Sequence, residues 1–520
     1  MLEVKAVKQL CRLRGTIWRS EFAAGGEVAT MLGFWTNSER LCDGVNRREW
    51  LRVGGIGLGG LGLDALLRGR ARAESEGRRV RAKSVIVLFN SGGIPHHETW
   101  DPKPDAPAEI RGEFGAIATR TPGLLAGELM PKTAMWTDRI AVVRSMVTGD
   151  SAHSTSGYQM LTGVPHVPLS RENAGPGRPN DWPSYNAIVQ ALRPARGGLP
   201  ASISLPRRMA NNNGQDPWPG TDAGFLGRQY DPWFLDCDPS LPDFTVPGGE
   251  LRAGLTMARV GERRSLLDQL NARWTAGPDL RVEGGPDSGL KPGVDAALHS
   301  LERDAAFASY DRYRERAVEL VAGGAARRAF EIAAENEATR ERYGRHAYGQ
   351  SVLLARRLVE AGVSLVQVNW MSQDKKRPNG GGWDTHEKHN ESLKGWLMPV
   401  MDQVYSTLLA DLSDRGLLDE TLVCWVAEFG HTPRFNARAG RDHWGRAFSI
   451  ALAGGGIRGG IVVGATDKHA ADPTTTPVRP SDYLATVFAC LGFPPETIVH
   501  DAQGRPLPIS RGRVLEEILA

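Results

Sequence analysis

The most constraining stretch of the chain is Leu422-Val423-Cys424-Trp425-Val426-Ala427, followed at once by Glu428-Phe429-Gly430-His431. Apolar residues in an unbroken run, rich in strand formers, read as a strand buried on both faces, as in a parallel sheet. Such a sheet needs helical crossovers. Residues 391–416 supply one, with Leu397, Val400, Met401, Val404, Leu408 and Leu412 on one stripe. Ligands of an open α/β sheet collect beyond the carboxyl ends of its strands. Glu428 falls at that edge, and Gly440-Arg441-Asp442-His443-Trp444 returns to it after a short loop. Carboxylate and imidazole are hard and borderline metal ligands respectively.

Other segments repeat the pattern. Ser84–Phe89, Arg139–Met146 and Val363–Val368 are apolar strand candidates, and a further strand with a Gly-rich turn follows His443. Strands alternating with amphipathic helices predict a three-layer α/β/α sandwich around a mostly parallel sheet. The strand ends carry the chemistry. Ser84–Phe89 runs into Asn90-Ser91-Gly92-Gly93, then His96, His97, Glu98 and Asp101. Arg139–Met146 leads to Asp150-Ser151-Ala152-His153-Ser154-Thr155, where Ser154 or Thr155 would cap a helix whose amides favour an anion. Val363–Val368 leads to Trp383-Asp384-Thr385-His386, with His389 three residues on. If that segment is helical, His386 and His389 share a face. The alternative for Asp384 is a helix N-cap, with Glu387 completing a capping box.

The 520 residues fit one large α/β domain with insertions, or two domains. A net charge of +3 gives no reason to expect nucleic acid as a partner. No apolar run is long enough to span a membrane, so no transmembrane anchor is expected in the mature form. Cys11, Cys42, Cys237, Cys424 and Cys490 are far apart and read as packing residues. Residues 165–250, with Trp182, Trp218 and Trp233 among Pro and Gly, read as a loop-rich insertion with short strands. Residues 251–350 read as a helical one.

At the amino end, residues 1–30 carry no motif, and Met31 is the expected start, making 1–30 a gene-model extension. Arg47 and Arg48 precede a Gly-softened apolar run, Val53–Leu67, and then Ala71-Arg72-Ala73. Positive flank, short apolar region and small-x-small site together predict an export signal over 31–73. The paired arginines make it the twin-arginine type, with that export machinery as partner and the periplasm or cell surface as destination. The domain itself is expected over 80–511.

Residues 44–511 also carry a resemblance. "RGLLDETLVCWVAEFGHTPRFN…GRDHW", Gly92-Gly93…His96…Glu98…Asp101-Pro102-Lys103 and Trp383-Asp384-Thr385-His386 are similar to motifs of the exported bacterial family called domain of unknown function 1501. That family belongs to the alkaline phosphatase superfamily, which implies an alkaline-phosphatase-like, sulfatase-like fold. It implies a divalent ion (zinc, manganese, calcium or magnesium) and an anionic small-molecule or polysaccharide substrate. Asp384 and His386 carry over as ligands; with them His443 is expected to hold the ion, and Glu428 and Asp442 to serve as second-site ligands or stand behind it. His96 and Glu98 belong to the same metal group from the opposite wall, and Arg434 and Arg441 bind the substrate anion. Sulfatases place their nucleophile ten residues before the Gly of a closing Thr-Gly. Counting back from Gly163 gives His153, as nucleophile, ligand or general acid, with Ser154 the alternative nucleophile. Asn90, Ser91 and Phe429 depart from the superfamily pattern, which has metal ligands there. The expected function is hydrolysis of phosphate or sulfate esters; the alternative is an exported metal- or ligand-binding protein without turnover.

Overall fold

A computed structural model describes residues 18–24, 27–33, 80–211, 216–246, 324–370, 374, 376–501 and 503–520, with positions 259, 262, 265, 266 and 269 between. The chain forms two units, Met1–Arg79 and Val80–Ala520. In the first, Trp18–Ala24 pairs antiparallel with Glu27–Gly33. Arg47, Arg48 and the Ala71-Arg72-Ala73 pattern lie outside the described residues.

The second unit is built on an eight-stranded sheet. Its strands are β1 (Ser84–Phe89), β2 (Ile140–Met146), β3 (Ser202–Leu205), β4 (Trp233–Phe234), β5 (Leu365–Asn369), β6 (Thr421–Val426), β7 (Phe448–Ala453) and β8 (Ile461–Val463). Their order across the sheet is β8-β2-β7-β6-β1-β5-β3-β4. Every neighbouring pair is parallel except those that β7 makes with β6 and β2, so β7 alone runs against the rest. The sheet is therefore mostly parallel, as the unbroken apolar runs require.

Alternation along each strand fills both faces. Ile86, Leu88, Val423 and Trp425 point to one core, and Val85, Val87, Leu422 and Cys424 to the other. Helices α1 (His153–Thr162), α2 (Tyr185–Leu192), α3 (Gly324–Phe330), α4 (Glu337–Tyr343), α5 (Ala347–Glu360), α6 (Met398–Asp414) and α7 (Pro480–Cys490) cover these cores. Leu358 of α5 and Met401, Val404, Leu408 and Leu412 of α6 pack into the first. Met160 of α1, Ile188 of α2 and Val487 of α7 pack into the second. The result is the three-layer α/β/α sandwich expected from sequence.

Some details differ from the sequence reading. β3 and β4, inside the loop-rich stretch, extend the main sheet beside β5. The unit also continues past 511, because Leu515, Ile518 and Leu519 bury themselves in the second core. Cys237, Cys424 and Cys490 are free thiols. No helix among the described residues is long and apolar enough to cross a membrane.

The direction of β7 matters for the site. The chain leaves β6 at the carboxyl edge of the sheet and re-enters β7 at that same edge. Everything between Val426 and Phe448 is thereby held over the edge where the parallel strands end.

Candidate metal centre

Three imidazoles converge on one carboxylate. His443 Nε2 lies 2.9 Å and His386 Nε2 3.0 Å from Asp384 Oδ1, and His153 Nε2 lies 3.2 Å from Asp384 Oδ2. On its far side each ring donates Nδ1–H to an oxygen. His443 donates to the Ser151 carbonyl at 2.7 Å, His386 to Asp442 Oδ1 at 2.7 Å, and His153 to Glu428 Oε1 at 2.9 Å. Each of these oxygens can only accept, so each Nδ1 carries a proton. In a neutral ring the Nε2 lone pair then faces Asp384, acceptor against acceptor. That arrangement needs positive charge between the groups, a proton or a metal ion. An acceptor behind each ring is also how ligating histidines are oriented.

The fold explains the convergence. His153 is the first residue of α1, just beyond β2; Asp384 and His386 lie in the loop after β5; His443 sits in the β6–β7 connection. There Gly430–His431 pairs antiparallel with His443–Trp444, which fixes the return of the chain. Beyond β1, Gly92 donates its amide to Glu428 Oε1 at 2.7 Å. Gly92 has φ +114°, and a Cβ there would come within 2.4 Å of the Asp384 nitrogen. Only glycine lets these two loops touch.

Ionisation follows from this packing. Burial opposes charge on His153, but the carboxylates of Asp384 and Glu428 outweigh it and push its pKa up to about 10. For Asp384, burial favours the neutral acid, yet hydrogen bonds from His153, His386 and His443 hold it well below the usual carboxylate range. The hydrogen bond to Asp384 raises His386 against its partial burial.

The sequence candidates thus separate into two groups. Asp384, His386, His443 and His153 meet with ligand atoms facing inward. Asp384, His386 and His443 each offer an atom within 4.8 Å of the others, as do His153, Glu172 and His443. Glu428 and Asp442 stand behind the histidines. The other candidates are engaged elsewhere. Arg441, fully buried, gives Nε and Nη2 to Glu98 Oε1 at 3.0 and 2.6 Å, and its remaining donors reach the Thr432, Pro433 and Ile110 carbonyls. A buried guanidinium must be satisfied this fully, and it leaves Arg441 no donor for a substrate. Glu98 Oε1 accepts from Arg441, while Glu98 Oε2 lies 3.6 Å from His389 Nε2, away from the Asp384 cluster. His96 places Nε2 2.8 Å from the Ala470 carbonyl, not toward Asp384. Arg434 is exposed and faces Glu109 at 3.5 Å. Ser154 Oγ donates to the Arg171 carbonyl and accepts from the Ala174 amide, both at 2.9 Å, so it is bound into the neighbouring loop.

Two local expectations also change. His386 and His389 do not share a helix face: Lys388 is left-handed at φ 46°, and the helix begins only at His389. His389 instead faces Thr385 Oγ1 at 2.6 Å, and Asp384 is not an N-cap. The N-cap position of α1 is Ala152, which has no side-chain cap. The carboxylate of Glu172 does that work, accepting from the His153 amide at 2.9 Å. Sequence reasoning missed Glu172, since nothing in the Ser170-Arg171-Glu172-Asn173 loop marks it.

The model of the family described as "Protein of unknown function (DUF1501)" matches residues 82–283 and 287–519. This chain belongs to that family. Both matched segments carry parts of the centre, His153 the first and Asp384, His386 and His443 the second. No curated protein matches the chain. Among solved structures, it is similar to the PsFucS1 sulfatase from Pseudoalteromonas sp. at 12% identity, TM-score 0.34, covering 81% of this chain and 70% of that one. It is similar to the phosphonate monoester hydrolase SpPMH from Silicibacter pomeroyi at 14% identity, TM-score 0.31, covering 84% and 76%. A third, BT4656 in complex with D-glucosamine-2-N,6-O-disulfate, gives 11% identity, TM-score 0.31, and 84% and 82% coverage.

Proposed function

We propose that this protein is an exported, metal-dependent hydrolase of phosphate or sulfate esters. One observation carries the metal-dependent part of the reading: three Nε2 atoms, each fixed by an acceptor behind its ring, turn on a single half-buried carboxylate. The donor set fits a divalent ion. Imidazole nitrogens with one carboxylate suit zinc or manganese better than calcium or magnesium, which prefer oxygen shells. When bound, such an ion supplies Lewis acidity toward an ester oxygen and makes water acidic enough to attack near neutral pH.

The chain's own groups do the rest. Asp384, His386, His443 and His153 would hold the ion, while Glu428, Asp442 and the Ser151 carbonyl keep the rings aligned. The first amide of α1 already holds an oxyanion, the exposed carboxylate of Glu172, beside His153 and His443. An ester's anionic oxygen would take the same amide, favoured by the helix end, with Glu172 swinging out.

A second reading, an exported metal-binding protein without turnover, draws on Ser154 and His153. The hydroxyl of one and both ring nitrogens of the other are engaged, so neither is free to attack. The test measures metal in the parent protein and in Asp384→Asn/His443→Ala, then turnover of aryl sulfates, phosphates and phosphonates. We expect about one tightly held ion in the parent, lost in the double variant, and turnover that disappears with it. Metal retained by the double variant would refute the site. Metal lost without turnover of any ester by the parent would favour the second reading. Export is tested separately. Arg47→Lys/Arg48→Lys should leave the precursor in the cytoplasm, with parent protein cleaved after Ala73; unchanged export would refute the twin-arginine reading.

A further inference from the structure

A cavity of about 600 Å³ lies between the carboxyl end of α1 and the amino end of α7. Its size is that of a small-molecule site. Gln159 and Thr162 of α1 line it on one side and Ser481 of α7 on the other. Gln159 follows His153 by six residues on the same helix, about 9 Å along its axis at 1.5 Å per residue. The cavity thus neighbours the metal centre without sharing its ligands. Arg446, three residues beyond His443, connects the two in sequence.

Three arginines line this cavity, and they differ in what balances them. Arg446 is matched by Asp472, Nε and Nη2 reaching its two oxygens at 2.8 and 2.7 Å. Arg479 and Arg511 are exposed, and among the described residues neither is in an ion pair. The nearest acid in sequence, Asp482, is already used. Its Oδ2 accepts from the Arg479 amide at 3.0 Å and its Oδ1 from the Arg513 amide at 2.9 Å. The Arg511 guanidinium lies over the Trp182 ring, 5.4 Å from its centroid, which fixes it over an aromatic wall. The cavity therefore offers two guanidinium forks outside any ion pair among the described residues, a flat aromatic surface and the Ser481 side chain, while Gln159 Nε2 is turned to Asp150 Oδ2 at 3.5 Å.

We propose that this cavity binds a sugar ring carrying its own sulfate or phosphate, a second anionic residue of an oligosaccharide whose ester lies at the metal. Bidentate guanidinium recognition supplies the anion contact. The indole and the lining serines, Ser481 and Ser510, suit a polyol ring better than a bare ion. The proposal extends the ester-hydrolase reading to its substrate class, but binding here does not require turnover or metal.

The test is calorimetric titration of the full chain, with chelator present, by a trisulfated heparin disaccharide, its desulfated counterpart and inorganic sulfate. The sulfated disaccharide should bind, and Arg479→Gln/Arg511→Gln should weaken it about tenfold or more, the scale of losing charge-assisted hydrogen bonds. Arg327→Gln/Arg328→Gln, an equal charge loss at two exposed positions of α3, should leave binding unchanged, and all variants should melt with the parent. Equal weakening by Arg327→Gln/Arg328→Gln, no effect of Arg479→Gln/Arg511→Gln, or equal binding of the desulfated sugar or of sulfate alone would each overturn the proposal. Binding abolished by the chelator would place the ligand at the metal and overturn the cavity while sparing the hydrolase reading. Conversely, chelator-resistant binding with no turnover of any ester would uphold the cavity and sink the hydrolase.

Discussion

At the scale of single residues, the centre depends on groups that never touch an ion position. Asp442 accepts from His386 Nδ1 and from Asn436 Nδ2, which holds the ring at one angle. Asp442→Asn keeps the shape but lets an amide N–H oppose the ring N–H, so His386 should turn or change tautomer. Loss of such a backing group costs about 10–100-fold in metal affinity. We expect that range for Asp442→Asn in a competition titration against a chromophoric chelator, with the fold intact by circular dichroism. Affinity equal to the parent would show that His386 is not a ligand. The convergence of Asp384, His386 and His443 was legible in the sequence because each follows a readable strand and sits in a recognisable motif. The pairing of Glu98 with Arg441 was not legible, for a reason no motif could supply. They are partners across 343 residues of chain, and a local window cannot show that an arginine's fork is already filled.

Elements carry the site through their ends. β6 was legible almost residue for residue, since an unbroken apolar run allows little else. β3 was not. Ser202–Leu205 alternates hydroxyl and apolar residues and becomes a strand only by pairing with Leu365–Val368. Tertiary context decides such short segments. The start of the helix after Asp384 was misread because Lys388 in the left-handed region breaks a pattern that sequence spacing alone would continue. The tightest joint between elements is Gly92, whose backbone abuts Asp384 while its amide holds Glu428. Gly92→Ala should cost about 1–3 kcal/mol of backbone strain. It should also push the Asp384 loop outward. We expect a lower melting temperature together with lost metal. Alanine tolerated at full metal content would mean that the two loops separate freely.

For the whole domain, the centre joins segments far apart in sequence, the residues around 153, 384 and 443, so metal affinity and folding stability are linked. Saturating metal should raise stability by about 2.7 kcal/mol at a hundredfold excess over Kd. The sign with pH distinguishes metal from its stand-in proton. His153 has an ordinary value of 6.5, raised in the metal-free fold to about 10. A raised histidine contributes stability fully below its unfolded value and loses it as pH climbs through the folded one. His386 is raised as well and adds in the same direction. The metal-free protein should therefore become less stable from about pH 6.5 toward pH 10. The loaded protein should not follow, because an ion on Nε2 replaces the proton, and binding must release it. The gap in melting temperature between loaded and chelated protein should widen as pH rises across that window, and calorimetry in buffers of different ionisation enthalpy should count released protons. A gap that stays constant with pH, with no proton released, would mean that the ion binds away from these rings and that His153 keeps its proton between Asp384 and Glu428.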